Sequence, residues 1–80
     1  MPYIDKSLAK AIDEGDMPRT PGELNYAITK LVLDYLPANP SYADYNSVVG
    51  VLESAKLEFY RRACAPYENQ KAFDNGDVYA

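Results

Sequence analysis

Two prolines three residues apart, Pro37 and Pro40, separate two long stretches of helical periodicity. Proline removes a backbone donor and disfavours helix in the residue before it, so Pro37-Ala38-Asn39-Pro40 ends one helix and precedes another. A connection this short leaves the two helices antiparallel neighbours, as a hairpin. An earlier break, Glu14-Gly15-Asp16-Met17-Pro18-Arg19, sets off a shorter segment at the N-terminus. No stretch shows sustained two-residue alternation, so the chain reads as all-α.

The middle segment has the strongest local signal. Thr20-Pro21-Gly22-Glu23 places Thr at N-cap, Pro at N1 and Glu at N3, a capping box with the favoured first-turn proline. The Thr20 hydroxyl is expected to accept from the Glu23 amide, and the Glu23 carboxylate to reach back to the Thr20 amide. Leu24, Ile28, Leu31 and Tyr35 follow at spacings of four, three and four, which predicts an amphipathic helix over 20–36. Asn25, early in that helix, is either a surface residue or a polar contact to another helix.

A longer helix is expected over 41–65. Ser41-Tyr42-Ala43-Asp44 offers a weaker capping box, and Tyr45, Val48 or Val49, Leu52, Ala55, Phe59 and Ala63 recur at helical spacing. Gly50 interrupts this pattern at a cost of about 1 kcal/mol relative to Ala, and reads as the mark of a close helix–helix contact. Pro66 should stop or kink the helix and serve as N1 of a short further turn through Phe73, followed by a C-terminal tail over 74–80. A short helix over 5–14, with Ile4, Leu8, Ala11 and Ile12 on one side, needs tertiary packing to be stable.

Eighty residues make one small domain, 1–80, with a short N-terminal helix across a long antiparallel hairpin. Leu33, Leu36, Val51 and Leu57 lie off the main stripes, and eight tyrosines add amphipathic surface. That is more than one three-helix unit can bury, so a homo-oligomer is expected, with the third helix as its interface.

Several chemistries are excluded by composition. The chain has no His and a single cysteine, Cys64, which rules out a Ser-His-Asp triad, a Cys-His dyad, an internal disulfide and a His- or Cys-based zinc site within one chain. Asp44 and Glu53 are too far apart on one helix to flank a single bond. Asp5, Asp13, Glu14 and Asp16 lack EF-hand spacing and read as solvated carboxylates. No enzyme signature remains, and neither cofactor nor metal is expected. A net charge of −4 without a basic run argues against duplex nucleic acid. The longest apolar run, Leu31-Val32-Leu33, is far short of the roughly 20 residues a bilayer requires, so no membrane partner is expected and the cytoplasm is the expected compartment.

A binding role is better founded. Lys56, Arg61, Arg62 and Lys71 are interleaved with Phe59, Tyr60 and Tyr67. Stacking faces beside cationic groups suit a small anionic, nucleotide-type ligand. Tyr60, Arg61, Arg62, Tyr67 and Lys71, together with Tyr26 in the middle helix, form the expected ligand-binding set. The alternative for the arginines is a solvated helix end whose charge complements the macrodipole and pairs with Glu58. Consecutive arginines point about 100° apart, so one is expected to face the ligand and the other Glu58. The same dipole opposes an anion at a helix C-terminus, which favours a pocket between subunits.

The strings MPYID at 1–5, MPRTPGELNYAIT at 17–29, SYADYN at 41–46, VVGVLESAKLEFYRR at 48–62, APYE at 65–68 and NGDVY at 75–79 resemble a family of small phage and prophage proteins of uncharacterised function. The resemblance spans nearly the whole chain and implies a phage-derived cytoplasmic protein with no catalytic residues to carry over. In architecture alone, the chain is similar to phage anti-defence sponges, helical-hairpin proteins that assemble and sequester cyclic nucleotide immune signals. The expected function is therefore a non-enzymatic, homo-oligomeric binding protein that sequesters a nucleotide-type ligand. The alternative is an adaptor or inhibitor that binds a host or phage protein through its tyrosine-rich surface.

Overall fold

A computed structural model describes residues 2–79, and every regular element among them is helical. The chain forms two units, the first ending at Ser41 and the second beginning at Tyr42. In the first, α1 (Lys6–Asp13) packs against α2 (Pro21–Tyr35). In the second, α3 (Tyr42–Phe59), a π-helical turn (Tyr60–Cys64) and α4 (Ala65–Asn75) follow without interruption as one helix of 34 residues.

The first unit is defined by its caps. Asp5 closes the start of α1, accepting from the Ser7 amide at 2.8 Å and the Ser7 hydroxyl at 2.6 Å, and these two bonds hold its carboxyl below the usual aspartate value. Beyond the other end of α1, Gly15 adopts φ 111°, with its amide donating to Ile12 and the Asp16 amide to Ala11. This reversal closes the orphan carbonyls as a Schellman motif, in a conformation that favours glycine.

The capping box of α2 forms with one difference in its partners. The Glu23 amide donates to the Thr20 hydroxyl oxygen at 3.1 Å, as expected. The Glu23 carboxylate accepts from the Thr20 hydroxyl at 3.0 Å and the Arg19 amide at 3.4 Å, not from the Thr20 amide. These bonds let Glu23 become the one buried residue among those described, at 7% exposure.

The apolar stripe of α2 is not the face that α1 covers. Tyr26, Ala27 and Lys30 are half-buried, whereas Leu24, Ile28, Leu31 and Tyr35 remain exposed, Leu31 at 72%. On the covered side, the phenol of Tyr26 donates to both carboxylate oxygens of Asp13 at 2.9 Å. No large apolar side chain among the described residues is buried.

Pro66 neither stops the helix nor confines it to a short turn. Its missing N–H would leave the Arg62 carbonyl without a donor, and its ring would press on that carbonyl in a regular α-helix. The chain widens instead: the Ala65 amide donates to the Tyr60 carbonyl, five residues back, which is the π register. Pro66 then sits in the first turn of α4, where proline is tolerated, and helix continues to Asn75. Gly76 ends it at φ 89°, its amide donating to Ala72 at 2.9 Å.

Gly50 does not mark a close contact within the chain, since a Cβ added there meets nothing within 4 Å. Its backbone is ordinary helix, so the residue contributes only its entropic cost. Gly50→Ala is therefore expected to stabilise the protein by about 1 kcal/mol, read as a higher Tm by circular dichroism. A lower Tm would mean that another chain approaches the helix at Gly50.

Candidate functional site

The aromatic and basic residues singled out in the sequence gather around the π-helical turn. Tyr60 opens it, and its phenol donates to Glu68, eight residues further on. In a regular α-helix, residues eight apart lie about 80° apart around the axis. The extra residue in the turn brings the two nearly into line, so this bond exists because the turn does. Accepting from the phenol, the Glu68 carboxylate holds the Tyr60 hydroxyl above its ordinary pKa of 10.0; the negative charge of Glu68 and partial desolvation act in the same direction.

Arg61 and Arg62 share one partner. Arg61 Nη2 lies 2.8 Å from Glu58 Oε2, and Arg62 Nη1 lies 3.8 Å from Glu58 Oε1. All three side chains are exposed, so these contacts order the surface more than they stabilise it. Both arginines turn toward the same carboxylate, where the sequence reading expected only one to do so. On the next turn of helix, Lys71 Nζ sits 5.6 Å from the centre of the Tyr67 ring, a cation–π contact.

A shallow cleft of about 470 Å³ runs from the π-helical turn to the C-terminal residues, lined by Tyr60, Glu68, Lys71, Asp77 and Tyr79 among others. It takes two residues of the expected set, Tyr60 and Lys71, and leaves out Arg61, Arg62 and Tyr67. Glu68 and Asp77 set two carboxylates against a single lysine there, so its lining does not favour an anion. Spacing along the sequence could place these residues on one stretch of helix. It could not show that Glu68 takes Tyr60.

Tyr26 belongs to the first unit, where Asp13 takes its hydroxyl. Desolvation, the bond to Asp13, and the charges of Asp13 and Asp34 all raise its pKa. Nearby, the Thr29 hydroxyl donates to the Asn25 carbonyl at 2.8 Å and to its side-chain oxygen at 3.3 Å. Asn25 is thus an exposed residue bonded within its own helix. Glu58 was legible as a partner of the arginines from its spacing; Glu68 as the partner of Tyr60 was missed, and its signal was the tolerated proline two residues before it.

Residues 1–78 match a domain of unknown function, DUF6899. The chain belongs to that family. No curated protein and no solved structure matches this member, and among the described residues no helix is long and apolar enough to cross a membrane.

The Tyr60–Glu68 bond has a direct readout. Glu68→Gln removes the negative charge, so the Tyr60 phenol should titrate closer to 10.0 than in the unaltered protein, followed by NMR of ring-labelled tyrosine. The sign of the linkage follows: a raised folded pKa means that the bond contributes below pH 10 and is lost as pH rises through the folded value. An unchanged Tyr60 titration in the variant would show that Glu68 is not its partner in solution.

Proposed function

We propose that this DUF6899 member is a non-enzymatic, self-associating interaction module that works through the apolar faces of its helices. One observation carries the reading: the chain is 48% hydrophobic, yet no large apolar side chain among the described residues is buried. Burial of apolar surface is the main favourable term in folding, at about 25 cal/mol per Å². A chain that leaves this surface in water obtains its stability by covering it in an assembly. The first partner is another copy of itself. The phage or prophage origin implied by the sequence resemblance makes a host or phage protein in the cytoplasm the second.

Sequestration of a nucleotide-type anion is the second reading, and the concentration of Arg61, Arg62 and Lys71 beside Tyr67 favours it. Glu58 already offsets part of that charge, and the neighbouring cleft is lined by more acid than base. The interaction module is therefore preferred.

Light scattering at micromolar concentration should give a mass that is a multiple of 8.9 kDa. In the same buffer, mono-, di- and cyclic nucleotides should leave Tm unchanged. A rise in Tm that grows with the ratio of one nucleotide to its Kd would reverse the order of the two readings. A mass near 8.9 kDa at every concentration would defeat self-association.

A further inference from the structure

The π-helical turn does more than accommodate Pro66: it keeps one apolar line straight across it. Before the turn, Tyr45, Val48, Leu52, Ala55 and Phe59 alternate at spacings of three and four, the repeat of a helix–helix seam. Continued as regular α-helix, Tyr67, the first aromatic beyond the turn, would lie about 80° away from Phe59. With one extra residue taken up between them, the offset shrinks to about 20°. The bond between Tyr60 and Glu68, also eight residues apart, reports the same realignment on the neighbouring line. The seam thus extends from Tyr45 to Tyr67, roughly 33 Å at 1.5 Å per residue.

We infer that this seam is the surface on which a second copy of the chain packs, which rests on the self-association proposed above and assigns its place. Area supports a second copy. Tyr45, Phe59 and Tyr67 are between 52% and 65% exposed, and with the aliphatic residues between them they offer roughly 600 Å², the lower end of the share each partner gives to a standard interface. Charge supports it too. The chain carries −4 overall, which repels a second copy at long range. Between Tyr45 and Tyr67 the charged residues are Glu53, Lys56, Glu58, Arg61 and Arg62, a local balance of +1, with Glu53 and Arg61 turned well away from the seam line. They are engaged as Glu53–Lys56 at 3.2 Å and as the two arginines on Glu58. Identical flanks that are close to neutral let two copies meet without like-charge repulsion. Alternating large and small residues, with Ala55 between Leu52 and Phe59, give each copy ridges and gaps for the other.

Sedimentation of the full chain tests this with variants of one helix. Leu52→Glu combined with Phe59→Glu should weaken self-association by roughly a hundredfold or more. Leu57→Glu, about 140° around the same helix, should leave it within a few-fold. Because the double variant may lose its fold together with its partner, cross-linking provides a second measurement. In a Cys64→Ala background, Ala55→Cys should give covalent dimers with a short bifunctional maleimide, and Ser54→Cys, about 100° away, should give far fewer. Equal yields from the two cysteines overturn the seam. So does an assembly that survives the double variant but is lost on Leu31→Glu in α2, an outcome that leaves self-association standing. A chain that is monomeric before any substitution overturns both.

Discussion

Pro66 has no amide hydrogen, and the second unit is arranged around that single deficiency. A regular helix would bring the proline ring against the Arg62 carbonyl. Widening by one residue relieves the clash without ending the helix, and the Ala65 amide finds the Tyr60 carbonyl instead. From this follow the length of the helix to Asn75, the alignment of Tyr60 with Glu68, and the return of Tyr67 to the line of Phe59. Within the aromatic and basic group, the Tyr60–Glu68 pairing is the part that depends on this turn. Residues on either side of a π-helical turn meet partners that regular spacing would have kept apart.

The energetics of the chain point outward. Its local interactions are well satisfied: caps at Asp5 and Thr20, a glycine reversal at Gly15, and a phenol–carboxylate bond between α1 and α2. Each such feature is worth about 1 kcal/mol, which sets the ends and directions of helices but does not offset the entropy of ordering eighty residues. That requires apolar burial, and the stripes of α2 and α3 are still available for it. In the proposed self-association, an assembly would supply the missing term. The exposed ion pairs around Glu58 add little stability.

The candidate site was legible in part. Tyr60, Arg61, Arg62, Tyr67 and Lys71 were recognisable as an aromatic and basic group because composition alone concentrates them. The pairing of the arginines with Glu58 followed from ordinary i,i+3 and i,i+4 spacing, but the partner of Tyr60 did not. Glu58 takes both arginines, and Glu68 takes Tyr60 through a π register that no 3.6-residue pattern contains. Gly50 illustrates a related limit. A glycine within a helical pattern signals missing side-chain volume, but whether a neighbour fills that space is a property of the packing, and here the space is open.

Local chemistry in the sequence determined the helical class, the breaks at Gly15 and Pro37–Pro40, and the starts of α1 and α2 to within a residue. Caps, prolines and positive-φ glycines act on the backbone within one turn of themselves, so their effect is written where they stand. The tertiary structure decided which face of α2 meets α1, and that face carries the Tyr26–Asp13 bond, not the apolar stripe. It also decided that the long helix passes through Pro66, because here a shift of register in the preceding turn relieves the clash that a proline makes inside a regular helix. Hydrophobic periodicity records that a face needs covering. What covers it depends on every other surface within reach, and that information does not reside in any one segment of the chain.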